Sequence, residues 1–221
     1  MSHPWYDLPV VTTIVVGAVL AGALVSLLRA IRAGDRALEV VSKTAASLCF
    51  VVLGAIRWTA GDAVGSWLLT GLVLCMVGDV LLLGSDRSFD LGLAAFLLGH
   101  LAYVGGFRAA LPLAGWPVMI AVPLAVAGIA VGAWLWPRLG RRRPSVTVYI
   151  AVISLMVWGG LATSSSLALP WTAAAGALLF YLSDLAVARQ RFVRPDFVNR
   201  AVGLPLYYAG QLLLALTIQG S

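Results

Sequence analysis

Charge is what this sequence has least of. Only 11% of its 221 residues are Asp, Glu, Lys or Arg, against roughly 25% in a soluble domain. With 61% hydrophobic residues and a mean hydropathy of +0.97, too little polar surface is left to coat a water-soluble globule of this length. The same numbers exclude intrinsic disorder, which needs the opposite composition. Cysteine is nearly absent: Cys49 and Cys75 are the only two, and both fall inside apolar runs. They read as small buried hydrophobes, which excludes a disulfide scaffold and a cysteine metal site. The apolar runs do not alternate with polar residues, which argues against a membrane β-barrel. An open sheet cannot span lipid at all.

What the sequence has instead is hydrophobic run length. A spanning helix takes about 20 apolar residues, and eight such stretches read as helices at 9–29, 37–57, 67–84, 89–108, 117–136, 145–162, 170–188 and 201–219. The expected fold is an all-α, polytopic bundle of eight transmembrane helices forming a single domain over 1–221, with no room for a soluble domain. Ala33-Gly34-Asp35, Gly61-Asp62, Ser85-Asp86-Arg87, the Pro112–Pro117 and Pro137–Pro144 segments, Pro170 and Pro195-Asp196 punctuate the runs. No basic residue precedes the first run, so it reads as a retained helix rather than a signal peptide.

The net charge of +6 has a topological cause, and no nucleic-acid partner is expected. Arg29, Arg32, Arg36, Arg87, Arg138, Arg141, Arg142, Arg143, Arg189, Arg191, Arg194 and Arg200 all fall at alternate connections, which makes twelve on one side. Arg57 and Arg108 fall on the other. The positive-inside rule puts the twelve in the cytoplasm and both termini outside. Trp5, Tyr6, Trp67, Trp116 and Trp171 sit where interfacial belt residues are expected. The predicted location is the plasma membrane; composition leaves oligomeric state open.

Ionisable groups inside a span cost about 2.5–3.5 kcal/mol each on insertion scales, so they are informative. They are Glu39 and Lys43 in helix 2, Asp79 in helix 3, His100 in helix 4 and Asp184 in helix 7, with the polar Gln211 in helix 8. The inferred orientation puts Lys43, Asp79, Asp184, Tyr149 and Tyr207 in one layer, roughly 6–11 Å below the cytoplasmic helix ends. One shared cavity opening to that side follows. Each residue also has a plainer reading. Glu39 and Lys43 are four apart and suited to pair with each other. Each aspartate is placed to snorkel or to meet a loop arginine, His100 to be a hydrogen-bonded core histidine, and Gln211 to tie helices together. Gly78-Asp79 followed by Gly99-His100 has an echo in Ser183-Asp184 followed by Gly210-Gln211, as in a parallel duplication of four helices.

Four stretches in this order resemble the YhhN family: Val77-Gly78-Asp79-Val80-Leu81-Leu82, Phe96-Leu97-Leu98-Gly99-His100-Leu101-Ala102-Tyr103, Tyr181-Leu182-Ser183-Asp184 and Tyr207-Tyr208-Ala209-Gly210-Gln211-Leu212. Lys43 is followed by Thr44 where the family usually has proline. The animal members are lysoplasmalogenases, so the resemblance implies a lysophospholipid substrate. The reaction implied is hydrolysis of the vinyl ether bond of lysoplasmenyl-ethanolamine or -choline, releasing a fatty aldehyde and glycerophospho-ethanolamine or -choline. It also implies Asp79 and Asp184 as the catalytic pair.

The chemistry fits two carboxyls and needs no metal or cofactor. A vinyl ether is not electrophilic at carbon; its slow step is proton delivery to the outer alkene carbon, giving an oxocarbenium ion that water then captures. Two carboxyls in one low-dielectric cavity divide acid and anion between them, as in glycosidases. The sequence leaves open which is the acid. Lys43 or Arg200 is placed to hold the phosphate. Tyr149, Tyr181, Tyr207 and His100 are placed to orient the carboxyls or water, with Glu39, Tyr103, Tyr208 and Gln211 in support. A small proton-coupled transporter, or a non-catalytic assembly protein, would carry the same intramembrane groups.

Overall fold

In the computed structural model, which describes residues 8–219, eight α-helices follow one another: α1 (Leu8–Ala33), α2 (Arg36–Arg57), α3 (Ala63–Leu81), α4 (Asp86–Ala110), α5 (Val118–Leu139), α6 (Arg143–Ser165), α7 (Trp171–Ala188) and α8 (Phe197–Thr217). Among the described residues there is no strand. Trp5 and Tyr6 lie outside the described residues, as does the side chain of Arg87. Among the described residues six stretches are long and apolar enough to cross a membrane, and one of them, Val118–Ser165, takes in both α5 and α6.

Each predicted helix has its counterpart, shifted by at most four residues at an end. The shifts have local causes. Side chains of Asp35, Ser85 and Asp196 accept hydrogen bonds from Leu38, Ser88 and Val198 backbone N–H groups, so α2, α4 and α8 each start at a capping residue. A cap draws the helix back into the polar connection, where hydropathy has already fallen. Two short 3₁₀ turns, Leu113–Gly115 and Gly140–Arg142, fill connections that read as loops.

The packing order forms a ring. α2 packs on α3, α3 on α4, α4 on α6, α6 on α7, α7 on α8 and α8 back on α2. α1 rests outside against α2 and α8, and α5 outside against α6 and the turn after α7. Both outer helices turn large apolar side chains outward, with Ile14 64% and Ile129 72% exposed. Such exposure is unfavourable in water and costs nothing against acyl chains. The two halves of the chain are laid out alike, an outer helix followed by three ring helices, so the echo read in the sequence has a counterpart in the packing.

The α3–α4 and α7–α8 hairpins close through glycine. A Cβ at Gly210 would stand 2.9 Å from the Gly176 carbonyl oxygen and 3.1 Å from the Phe180 nitrogen. Both obstacles are backbone and cannot rotate away. A substitution Gly210→Ala is therefore expected to push α8 off α7 at a cost of about 1–3 kcal/mol. Gly17→Ala, where a Cβ meets nothing within 4 Å, serves as the control. Thermal unfolding of the two variants in detergent checks this: the first should melt earlier than the parent, the second should not.

Candidate active site

All eight helices contribute to one cavity of about 500 Å³ at the end of the bundle that carries the arginine-rich connections. Its outer wall is apolar, with Leu27 from α1, Leu135 from α5 and Ile150 from α6. Asp79 and Asp184 both line it.

Asp79 sits two residues before the end of α3 and is 2% exposed. Three elements supply its partners. Lys43 of α2 places its Nζ 3.2 Å from Oδ1. Ser47, one turn further along α2, donates to Oδ2 at 2.8 Å, and Tyr207 of α8 donates to the same oxygen at 2.7 Å. Lys43 is itself 8% exposed, so this is an ion pair buried on both sides. Tyr208 donates to the Lys43 carbonyl at 3.3 Å, fixing α2 against α8.

Asp184 on α7 has a different shell. Tyr149 of α6 donates to its Oδ2 at 2.8 Å. His100 of α4 brings Nε2 to 3.7 Å from that oxygen, while its Nδ1 lies 2.6 Å from the Phe96 carbonyl. The imidazole has no solvent exposure. Behind the cavity a ring stack connects the two shells: Phe180 lies 4.4 Å from His100 and 5.3 Å from Tyr207, centroid to centroid.

Several expectations are corrected. Glu39 does not pair with Lys43. It meets Arg36 at 2.9 Å and Arg200 at 3.3 Å at the cavity mouth. Arginine one turn back and arginine from α8 both reach it in partial solvent, while Lys43 is turned inward to Asp79. Neither aspartate pairs with a loop arginine among the described residues, because both carboxyls face inward. Lys43 and Arg200 both line the cavity, Lys43 paired with Asp79 and Arg200 with Glu39. Tyr103 and Gln211 bond to each other at 2.6 Å, fully buried and off the cavity wall, so they tie α4 to α8. Tyr208 likewise stands behind the wall. Tyr181 is on it, its hydroxyl without a hydrogen-bond partner. Cys49 and Cys75 are buried.

Sequence reasoning missed Ser47, although its spacing of four from Lys43 puts both on one face of α2. It also missed the π-helical turn Arg189–Val193, which extends α7 over the mouth and closes with Arg194 N–H donating to the Arg189 carbonyl at 2.8 Å. Asn199 steadies this turn, donating to the Gln190 side chain at 3.0 Å and to the Arg194 carbonyl at 2.8 Å. No hydrophobic pattern encodes such contacts. Among the described residues, no group of three or more His, Cys, Asp or Glu is placed to hold a metal ion.

Fold and site together define a multi-pass helical membrane protein with an internal cavity walled by apolar side chains and holding two carboxyls in unlike settings. The chain belongs to the YhhN family, whose model matches residues 38–218. It is 33% identical over 157 residues to Lysoplasmalogenase TMEM86A of Bos taurus, covering 68% of this chain and 64% of the relative. It is 36% identical over 151 residues to the Lysoplasmalogenase of Mycobacterium tuberculosis (65% and 55%), and 33% identical over 177 residues to Lysoplasmalogenase TMEM86B of Sus scrofa (78% and 74%). The matched region thus spans less than two thirds of the bovine and mycobacterial relatives. No solved structure matches the chain.

The Lys43–Asp79 pair makes a stability prediction. Lys43→Met strands a buried carboxylate and is expected to cost about 3–5 kcal/mol. The double substitution Lys43→Met, Asp79→Asn removes both charges and should recover much of that loss. Thermal melts of the four members of this cycle test it; a double variant as unstable as the sum of the singles means the pair is not coupled.

Proposed function

We propose that this protein is an intramembrane hydrolase of the lysoplasmalogenase type, cleaving the vinyl ether bond of a lysoplasmalogen to a fatty aldehyde and glycerophospho-ethanolamine or -choline. One observation carries the reading: Asp79 and Asp184 line a single cavity, each held by a tyrosine hydroxyl, at 2.7 and 2.8 Å. The names of the relatives support it independently.

The surroundings suit the substrate. An alkenyl chain has an apolar wall to lie along, and Arg200 stands at the mouth for a phosphate. The bond to be cleaved lies between these two ends of the lipid, where the aspartates are. Protonation of the outer alkene carbon gives an oxocarbenium ion, which a neighbouring carboxylate stabilises in a site shielded from bulk water. Water adds, and the hemiacetal collapses.

The proposed topology has all eight helices crossing the plasma membrane and both termini outside. The twelve arginines at alternate connections support it, and the cavity then opens in the cytoplasmic leaflet. A proton-coupled carrier is the competing reading. Against it, both carboxyls stand near the same ends of α3 and α7, rather than being strung through the bilayer as a relay needs.

Purified protein incubated with a lysoplasmalogen is expected to release fatty aldehyde. Asp79→Asn and Asp184→Asn are each expected to lower kcat by at least about 10²-fold. Turnover equal to the parent in both variants rules out the aspartate mechanism. Substrate flux across proteoliposomes with no aldehyde formed favours the carrier.

A further inference from the structure

The two aspartates occupy matching places in the two halves of the chain, but their partners are chemically unlike. Each lies in the last turns of its helix, where the helix carbonyl end disfavours an anion. An ionised carboxylate there needs a cation beside it. Asp79 has Lys43, the only lysine in the chain. Among the described residues Asp184 pairs with no ammonium or guanidinium group; it meets the Tyr149 phenol and the buried His100 ring.

Geometry locates one proton of that ring. Nδ1 is 2.6 Å from the Phe96 carbonyl oxygen, which only accepts, so Nδ1 carries hydrogen. Nε2 is buried without a hydrogen-bond partner among the described residues and lies 3.7 Å from Asp184 Oδ2.

The geometry points to fixed and unequal roles: Asp184, coupled to His100 Nε2, holds the one transferable proton, and Asp79, neutralised by Lys43, remains the anion. This rests on the hydrolase reading and deepens it. Asp184 is then the catalytic acid, and His100 is a positioning residue acting through it.

The cycle balances with these roles. Asp184 gives its proton to the outer alkene carbon, where the π pair makes the new C–H bond. The carbon bearing the ether oxygen becomes the oxocarbenium centre, facing the charge of Asp79. Asp184, now a carboxylate, takes a proton from the water whose oxygen bonds to that carbon. In the hemiacetal it returns this proton to the glycerol oxygen as the C–O bond breaks, and receives the hydroxyl proton as the carbonyl forms. Asp184 ends as it began, and Asp79 never changes its protonation state. The sum is vinyl ether plus water giving aldehyde plus alcohol.

The test uses the full chain in lipid nanodiscs. The chain has two histidines, so His3→Gln leaves His100 as the single ring reporter. With ¹⁵N-histidine and ¹³Cγ-aspartate labels, NMR is expected to find Nδ1 protonated and Nε2 hydrogen-bonded. The Nε2 signal should move in Asp184→Asn and stay in Asp79→Asn. The carboxyl signal lost in Asp79→Asn should be that of an ionised carboxylate at neutral pH. An Nε2 without a hydrogen bond in the parent protein, which needs no variant to fold, overturns the proposal, as does a protonated Asp79.

Kinetics adds an arm that a structural role would not satisfy. His100→Asn keeps a donor for the Phe96 carbonyl but has nothing at Nε2. His100→Gln reaches the Nε2 position but gives up the Phe96 bond. The expected result is a loss of about 10²-fold or more in kcat for Asn, partial rescue by Gln, and an unchanged KM in both. If His100 only braces α4, the order reverses and the assignment fails. Failure of the parent protein to hydrolyse any lysoplasmalogen instead sinks the hydrolase reading, while the NMR result still decides where the proton lies.

Discussion

A charge removed from water must be met by another charge and by enough donors to fill its lone pairs, and in this bundle Lys43 and Asp79 meet that demand together. Removing either partner leaves the other stranded in a medium that cannot solvate it. The consequence is architectural. Asp79 on α3 takes its partners from α2 and α8, at 3.2, 2.8 and 2.7 Å, so three helices are fixed in register by one carboxylate. Between helices in lipid the hydrophobic effect supplies no attraction. Register here comes from such polar contacts and from glycines that let backbones approach, as Gly176 and Gly210 do.

The same demand is answered differently in the second half of the chain, which gives the cavity two unlike carboxyls. Tyr149, the seventh residue of α6, stands where Lys43, the eighth residue of α2, stands in the first half. Both are directed at the aspartate of the following helix. An ammonium in one half and a phenol in the other give two carboxyls different electrostatic surroundings within one cavity. Symmetry of layout brings both carboxyls to one cavity near the C-terminal ends of α3 and α7, and the unlike partners around them separate their surroundings. Phe180 stacks between His100 and Tyr207 and so packs one shell against the other.

Much of this was legible in the sequence, and the limit falls at a definite kind of information. Run length and punctuation locate eight helices because apolar periodicity is a local property. The scarcity of charge inside the runs singles out Glu39, Lys43, Asp79, His100 and Asp184, because each is costly there, but leaves open what each one meets. Pairing is not local. Glu39 and Lys43 satisfy the four-residue rule on α2, yet each bonds elsewhere, because Arg200 and Asp79 arrive from other helices. The π-helical turn at Arg189–Val193 is equally invisible, since it depends on Asn199 and Gln190 meeting across a connection. Sequence identifies the expensive residues; only packing determines which of them meet.

That division bears on how a cavity with two carboxyls is built inside a membrane bundle. A water-soluble hydrolase places polar residues freely and excludes water around them. A bundle in lipid starts dry, and each polar group must be justified by its partner. Here the partners do double service. Lys43 and Tyr207 make Asp79 tolerable and also fix its orientation toward the cavity. Tyr149 and His100 do the same for Asp184. The arginines gathered at the mouth with Glu39 stand, on the proposed reading, where a headgroup would remain in water while its chain enters the apolar wall. On the proposed lysoplasmalogenase reading, a substrate that is itself half polar and half apolar needs no separate guide: the gradient from mouth to wall that suits the bundle to the bilayer would also set the depth at which a vinyl ether meets the two carboxyls.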